Sequence, residues 1–360
     1  MFNKKSRDGN MMLRNKKIAN QIIERLKKME LNLKIMHVCG THQDTIYRHG
    51  LDSILKKIGI EVIQGPGCPV CVTTPLEIEK AVKIAESGLT VASFGDMVRV
   101  PARKSLEEIR AKGDVRIVYS IYDAVNIAKE REVVFLAVGF ETTAPSTAIS
   151  LLNEPENFSV ICCHRYIPPA LDTLLGMGEI KIDGIICPGH VSTIIGTKPY
   201  EKIARKYRIP HVVAGFEPLD VLIAIYMIAR QIEEGKYEVE NEYFRVVKRE
   251  GNIKAIKAID EVFMPTDSKW RGFPVIKKSK MVIKKKYEEY NAERKYEDLL
   301  IDIEEPKEPK GCRCGDVLRG IIYPKECPLF GRVCNPSHPI GPCMVSIEGA
   351  CNIEYRYKND

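Results

Sequence analysis

The last fifty residues of the chain contain six of its twelve cysteines. This segment is rich in Gly and Pro and too poor in aliphatic residues to bury a core of its own, so a metal or disulfides are expected to hold it. Thiolate sulfur suits zinc and iron–sulfur clusters, but the segment lacks the paired C-x2–4-C knuckles of structural zinc sites. We therefore favour an iron–sulfur cluster over zinc, disulfides or free thiols. The six residues are Cys312, Cys314, Cys327, Cys334, Cys343 and Cys351.

A second thiol motif is the C-x-x-C of Cys68 and Cys71, within GPGCPVC (65–71). Two prolines and two glycines constrain this loop, and near-neighbour thiols of this kind close readily into a disulfide. A following helix N-terminus would lower the pKa of the first thiol. The pattern therefore predicts a redox-active dithiol. The alternatives are half of a metal knuckle or two inert thiols.

Cys39 and His42 lie three residues apart in VCGTH (38–42). A thiol and an imidazole together suit a soft or borderline metal such as iron, or a thiolate–imidazolium nucleophile. A structural, hydrogen-bonding histidine is the competing interpretation of His42. A second C-x-x-H at Cys187 and His190 favours the chemical interpretation, and we expect Cys39 to be the residue on which the function depends.

Two further loops carry groups that could orient bound ligands. GFETT offers the carboxylate of Glu141 and the hydroxyls of Thr142 and Thr143, and PGHVS offers His190. Such groups commonly hold metal ligands in place through hydrogen bonds. For the two threonines, capping of a helix N-terminus is an equally good interpretation.

Nearly all of these residues directly follow a short aliphatic run, and amphipathic, helix-like stretches separate the runs. This alternation predicts βαβ units and parallel sheets covered on both faces. Ligands of such sheets bind beyond the carboxyl ends of the strands, where thiols, imidazoles and carboxylates would gather. The predicted strands are 33–38, 60–64, 89–93, 114–119, 133–138, 158–162, 183–187 and 211–214.

We prefer two doubly wound α/β domains to a single (β/α)8 barrel, because the halves of the chain echo each other. CGTH (39–42) resembles CPGH (187–190), and GFETTAP resembles GFEP. The predicted division is a disordered N-terminus (1–14), a first domain with the CGTH and GPGCPVC loops (15–119), a second with the GFETT and PGHVS loops (120–235), and a cysteine-rich iron–sulfur domain (236–360).

Composition limits the function classes. At 360 residues, 44 % hydrophobic and 29 % charged, the chain resembles an ordinary globular protein, and no apolar run reaches the about 20 residues of a membrane span. The N-terminus lacks the apolar region of a secretory signal, so a cytoplasmic location is expected. The net charge of +7 is mild, and the basic stretch 277–287 is better explained as a solvated face than as a nucleic-acid site. No P-loop, GxGxxG or CxxxCxxC motif is present.

The loops together resemble the signature motifs of the HypD family of hydrogenase maturation factors, in the same order. The matching stretches cover the chain from about residue 20 and include HVCGTHQDTIYRHGLD, GPGCPVCVTTP, GFETTAP, PGHVS and AGFEPLD. The spacing C-x14-C-x6-C-x16-C at Cys312, Cys327, Cys334 and Cys351 also matches that family. Gln43 stands where many members carry Glu or Thr.

The resemblance implies two α/β domains around a cleft, with a C-terminal [4Fe–4S] cluster on those four cysteines. It further implies a role in assembling the Fe(CN)2CO group of [NiFe]-hydrogenases with a HypC-like chaperone and a HypE-like cyanide donor, before the iron passes to the hydrogenase large subunit. By the same resemblance Cys39 holds the iron, and Cys68 and Cys71 form a redox dithiol fed by the cluster.

These expectations describe an assembly scaffold more than a free-standing enzyme. The alternative from another class is an iron–sulfur thiol–disulfide oxidoreductase resembling ferredoxin–thioredoxin reductase, which would use the same dithiol and cluster but would not need Cys39. A third hypothesis, zinc-stabilised nucleic-acid binding, rests only on the mild basicity of the chain. Neither a nucleic acid nor a membrane is expected as a partner.

Overall fold

The computed structural model describes residues 15–358, so the predicted disordered segment 1–14 lies outside the described residues. Eleven strands are present in this part of the chain. They are β1 (Leu33–His37), β2 (Ile60–Gln64), β3 (Thr90–Ser93), β4 (Val115–Ile117), β5 (Val133–Gly139), β6 (Phe158–His164), β7 (Gly184–Pro188), β8 (His211–Ala214), β9 (Val239–Asn241), β10 (Phe263–Lys269) and β11 (Val275–Ile283).

The α-helices of the first two hundred residues alternate with these strands. They are α1 (Lys16–Lys28), α2 (Gly40–Arg48), α3 (Leu51–Lys56), α4 (Pro69–Val72), α5 (Pro75–Glu86), α6 (Gly95–Val98), α7 (Leu106–Ile109), α8 (Ile121–Ala128), α9 (Ala144–Leu152), α10 (Ile167–Met177), α11 (Gly189–Ile195) and α12 (Lys198–Tyr207). The later helices are α13 (Pro218–Glu233), α14 (Ile253–Val262), α15 (Ala292–Lys295), α16 (Glu297–Leu300), α17 (Cys314–Leu318), α18 (Pro342–Val345) and α19 (Ala350–Lys358). Two 3-10 helices, Lys285–Tyr290 and Pro324–Glu326, complete them.

The strands form two parallel sheets and one antiparallel hairpin. The first sheet has the order β2-β1-β7-β8-β9, the second has the order β4-β3-β5-β6, and β10 pairs with β11. The predicted mixed α/β class with parallel sheets is confirmed. All eight predicted strands are present, because buried parallel strands are the near-continuous aliphatic runs that sequence patterns detect best.

The strands are distributed between the sheets differently from the division near residue 119 that the sequence suggested. The chain starts the first sheet with β1 and β2, builds the whole second sheet with β3 to β6, and then returns to the first with β7 to β9. The similar CGTH and CPGH loops therefore do not mark two different sheets. They follow β1 and β7, which pair with each other in one sheet.

The residues after 235 contact both sheets, and the predicted C-terminal domain is not confirmed. β9 is an edge strand of the first sheet, and the β10–β11 hairpin packs on the second, where Tyr166 donates its backbone N–H to the carbonyl of Ser279. The cysteine segment packs on the first sheet, where the Gln64 side chain donates to the carbonyls of Val317 and Ile322. One apolar cluster includes residues of both sheets and of this segment.

None of the helices between residues 15 and 358 is long and apolar enough to cross a membrane.

Candidate metal and thiol site

A cleft of about 560 Å³ lies where carboxyl ends of strands from both sheets meet. Loops that follow β1, β2, β3, β5 and β7 line it, as the crevice rule for parallel sheets predicts. Of the predicted site residues, the cleft wall contains Cys39, Thr142, Thr143 and His190. The cleft therefore brings together four of the site residues that the sequence predicts.

Cys39 lies two residues after β1 and is the N-cap residue of α2. Its side chain lines the cleft although the residue is only 8 % exposed. Burial raises the pKa of this thiol to about 11, and the nearby Glu348 carboxylate adds to the rise, while backbone groups at the start of α2 partly oppose it. Without a metal the group is therefore a neutral thiol near pH 7. A bound metal would displace its proton, since a metal takes the thiolate form.

The dithiol loop packs against the backbone of Cys39. Cys68 and Cys71 form a disulfide, with their Cα atoms 5.3 Å apart, and they flank the start of α4. Pro69, at the first position of this helix, fixes the turn. Gly67 packs so tightly that a Cβ atom there would lie 2.2 Å from the backbone nitrogen of Cys39. Both sulfurs are buried, while Pro69 and Val70 form part of the cleft wall.

The two histidines of the C-x-x-H motifs have different positions. His42 is wholly buried outside the cleft lining found among residues 15–358, and its Nε2 atom lies 2.8 Å from the carbonyl oxygen of Gly215. Burial lowers the pKa of His42 to about 4, so the ring is neutral. His190 lines the cleft, and its ring stacks on Phe216 with 3.9 Å between centroids. The imidazole at the cleft wall is therefore that of His190.

The GFETT loop is divided between the cleft surface and the interior behind it. Thr142 and Thr143 line the cleft, and Thr143 begins α9 without a capping hydrogen bond from its side chain, so N-capping does not explain this residue. Glu141 is buried and accepts a hydrogen bond from the backbone N–H of Ile167, 3.0 Å away. Its second carboxyl oxygen finds no partner within residues 15–358, and burial raises its pKa to about 8.

Three cleft residues that the sequence analysis did not single out come from the cysteine-rich segment: Ser346, Ile347 and Glu348. The carboxylate of Asp96 holds them, because it accepts hydrogen bonds from the hydroxyl of Ser346 at 3.0 Å and the backbone N–H of Ile347 at 3.1 Å. No local sequence pattern identifies these three residues, which lie between Cys343 and Cys351. The cysteine-rich segment is therefore part of the cleft.

All six C-terminal cysteines line one small cavity, which we call the cysteine chamber. Leu329, Phe330, Gly341 and Met344 complete its wall. The four cysteines chosen by family spacing are among the six, and so are Cys314 and Cys343, whose sulfurs lie 2.6 Å apart. The chamber thus contains the four predicted cluster ligands, but its geometry does not distinguish them from Cys314 and Cys343.

The donors of the chamber fit an iron–sulfur cluster better than a single ion. Over residues 15–358 no three His, Cys, Asp or Glu side chains are grouped to hold one metal ion. A [4Fe–4S] cluster does not need such a group, because each of its four irons takes one protein thiolate. The chamber offers only sulfur donors in an apolar wall, as such a cluster requires. If it binds there, Cys312, Cys327, Cys334 and Cys351 are the predicted ligands.

Comparison with known proteins identifies the family. Residues 14–358 match the HypD family model, whose description is "Hydrogenase formation hypA family". The chain belongs to the HypD family. The match extends over nearly the whole sequence, and every loop described above falls within it.

Individual relatives support this assignment along most of their length. A Methanocaldococcus jannaschii protein assigned to hydrogenase expression or formation is 50 % identical over 348 residues, which cover 94 % of this chain and 95 % of the relative. The hydrogenase maturation factor HypD of Cupriavidus necator is 43 % identical, with 89 % of each chain covered. HypD2 of Bradyrhizobium diazoefficiens is 42 % identical, with 90 % of this chain and 89 % of the relative covered.

Proposed function

We propose that this HypD-family chain is a [NiFe]-hydrogenase maturation factor, and that it acts as a redox-active scaffold on which iron acquires its CN and CO ligands. The observation that carries the proposal is the contact of the dithiol loop with Cys39 at the cleft. The loop that carries the two redox thiols thus packs directly against the residue whose thiol would bind iron. Iron is the cargo of this reaction and does not remain in the protein.

Cys39 would bind the iron through its sulfur. Thiolate is a strong donor to iron, and the open side of the cleft leaves room for diatomic ligands and for a side chain of a partner. Thr142 and His190 line the cleft and would supply hydrogen bonds around the bound ligands. Thr143, whose hydroxyl contacts the Phe140 carbonyl and His164 Nδ1, would hold this part of the wall in place. Glu141 and His42 support this wall from behind.

Cys68 and Cys71 would supply or accept electron pairs. Reduction of their disulfide consumes two electrons and two protons and gives two thiols, and reoxidation releases them again. Both cysteines are buried, so a protein disulfide from outside has no direct access to them. A [4Fe–4S] cluster in the cysteine chamber would supply these electrons one at a time.

The burial of the dithiol bears on the alternative function. A free-standing oxidoreductase of the ferredoxin–thioredoxin reductase type must present its disulfide to a protein substrate. Here Cys68 is 4 % exposed and Cys71 is 0 % exposed. The scaffold proposal fits this burial better, with a HypC-like chaperone and a HypE-like cyanide donor as partners at the cleft and the hydrogenase large subunit as final acceptor. We propose that this assembly takes place in the cytoplasm.

The experiment is infrared spectroscopy of the full chain, purified without oxygen after co-expression with a HypC-like partner. Iron-bound CN and CO absorb where proteins are silent, so bands in that region with near-stoichiometric iron would support the proposal. A complex that contains the [4Fe–4S] cluster but shows no such bands under any expression condition would favour the oxidoreductase alternative.

A further inference from the structure

The tip of the β10–β11 hairpin lies between the dithiol loop and the cysteine chamber. On one side, the backbone N–H of Arg271 donates to the carbonyl of Val72, directly after Cys71. On the other side, a Cβ atom on Gly272 would lie 2.3 Å from the Cα atom of Gly315, which is next to Cys314. The hairpin tip is therefore in contact with both thiol sites.

Arg271 places a buried positive charge at this junction. Its side chain is only 1 % exposed, and its Nε atom donates to the carbonyl of Thr73 at 3.0 Å. Its Nη1 atom pairs with the Glu308 carboxylate at 3.1 Å, while Nη2 has no hydrogen-bond partner in the described part of the chain. The guanidinium is thus held by the Thr73 carbonyl and the Glu308 carboxylate, with part of its donor capacity unused.

The counter-ion of Arg271 is much more exposed to solvent than Arg271 itself. The Glu308 side chain is 50 % exposed and belongs to residues 304–310, which contain no helix or strand. Both residues line a second cavity of about 570 Å³ between the hairpin and this segment. Solvent screens an exposed charge more strongly than a buried one, so Glu308 cancels only part of the field of Arg271.

Arg271 lies close to the chamber, because its chain neighbour Gly272 touches the backbone of Gly315, the residue that follows Cys314. Arg319, which follows α17 and donates to the carbonyl of Gly272 at the hairpin tip, is paired with both Asp316 and Glu179 and so adds less net charge. Arg271 therefore brings a buried and only partly compensated positive charge to the edge of the chamber.

We propose that Arg271 raises the reduction potential of the iron–sulfur cluster bound in the cysteine chamber, and that Glu308 lowers it. Arg271 is a positioning residue that acts through charge and does not touch the cluster. The inference rests on the proposed function only in that the chamber must hold a cluster. One-electron reduction adds one negative charge to the cluster, so a nearby buried cation stabilises the reduced form. The electron comes from an external low-potential donor.

The two members of this ion pair predict shifts of opposite sign. In Arg271→Gln the reduced cluster loses its stabilising charge, so the potential falls. In Glu308→Gln the field of Arg271 is left less compensated, so the potential rises. We expect a change of about tenfold in the ratio of reduced to oxidised cluster at a fixed potential for Arg271→Gln, which corresponds to about 59 mV. The change for Glu308→Gln is smaller, since that carboxylate is half exposed.

The test is a dithionite redox titration of the full chain, reconstituted with iron and sulfide without oxygen and followed by electron paramagnetic resonance. Arg271→Lys, which keeps the charge, should restore most of the wild-type potential. Lys269→Gln and Glu305→Gln are matched controls, because they remove the neighbouring ion pair on the same hairpin and segment, whose Lys269 side chain is 55 % exposed. They should leave the potential unchanged.

Shifts of the same sign in Arg271→Gln and Glu308→Gln, or no shift in either, overturn the inference. Should Arg271→Gln fail to fold, the surface variant Glu308→Gln still decides, because a rise supports the inference and an unchanged or lower potential refutes it. A wild-type chain that cannot be loaded with a cluster refutes the cluster part of the proposed function and this inference with it. A loaded chain with unshifted variants refutes the inference alone.

Discussion

Gly67 lies against the backbone of Cys39, and this contact joins the dithiol loop to the thiol at the cleft. A Cβ atom on Gly67 would lie 2.2 Å from the Cys39 nitrogen and 2.3 Å from the carbonyl carbon of Val38. Both are backbone atoms of the chain that leaves the first strand, so they cannot turn aside as the end of a flexible side chain can. Only glycine permits this approach.

Gly67→Ala should therefore push the dithiol loop away from Cys39. We expect a loss of about 1–3 kcal/mol in the free energy of unfolding, as for overpacking elsewhere, together with reduced iron binding. Urea denaturation and iron analysis measure the two effects. Gly95→Ala is the control, because it lines the same cleft but its Cβ atom would make only an ordinary 3.6 Å contact with Ile117. Equal iron content in both variants would contradict the account.

Glu141 should make the stability of the protein depend on pH. Its pKa is about 8 in the folded chain and near 4.5 when unfolded, so the folded state holds the proton more tightly. Its contribution is fully present below pH 4.5 and is lost as the pH rises through 8. Its upper limit is about 1.4 kcal/mol per pKa unit.

Urea denaturation at several pH values between 5 and 8 tests this on Glu141→Gln, which keeps the neutral shape. The variant should lose less stability than wild type as the pH rises across this range. Buried histidines titrate in both proteins, and their effect cancels in the difference. Parallel curves for the two proteins would show that the carboxyl is ionised in the fold.

A buried ion triad connects α5 to the second sheet and the hairpin. The carboxylate of Glu77 pairs with Arg165 at 2.5 Å and with Lys280 at 2.8 Å, and these two cations hold its pKa well below the usual range against the opposing effect of burial. Glu77→Gln leaves two buried cations uncompensated, and we expect a loss of about 3–5 kcal/mol.

Glu79→Gln, on the same helix, is the control for the triad. Glu79 pairs at 3.9 Å with Arg103, whose side chain is 56 % exposed, so its replacement should cost less than about 1 kcal/mol. Chemical denaturation of both variants gives the comparison. Similar losses in the two proteins would mean that burial does not strengthen the triad.

The sequence predicted the local elements well and their assembly less well. Aliphatic runs such as 133–138 identify buried strands by composition alone, but which strands share a sheet depends on contacts between distant segments, such as the pairing of β1 with β7. The short strand β9, with only half-buried residues, carries no such signal. Its place beside β8 depends on tertiary pairing.

The same contrast holds at the site. The cysteine motifs are visible in the sequence because thiols are rare and their spacing is informative, and they point to the dithiol loop and to the segment that forms the cysteine chamber. The closeness of His42 to Cys39 in sequence suggests a chemical role for its imidazole. In the structure, however, α2 turns this ring toward the carbonyl of Gly215. The cleft position of Glu348 depends on packing against Gly40, about three hundred residues away in sequence, which no local pattern records.

The cluster ligands can be separated from the other two chamber cysteines by substitution. Cys314→Ala and Cys343→Ala should keep the cluster, because four thiolates remain, whereas Cys312→Ala, Cys327→Ala, Cys334→Ala and Cys351→Ala should each lose or weaken it. Iron and sulfide analysis with visible absorption after anaerobic reconstitution gives the answer. A chain that loses its cluster in Cys314→Ala but keeps it in Cys312→Ala would exchange the roles of these two residues.

The central claim is that Cys39 holds the iron, and infrared spectroscopy of Cys39→Ala with a HypC-like partner tests it most directly. Cys162→Ala is the matched control, since Cys162 is also a buried free cysteine but lies in β6, away from the cleft lining among the described residues. We predict that Cys39→Ala loses the CN and CO bands while its cluster signal persists, and that Cys162→Ala keeps both. Unchanged bands in Cys39→Ala would contradict the account and place the iron elsewhere.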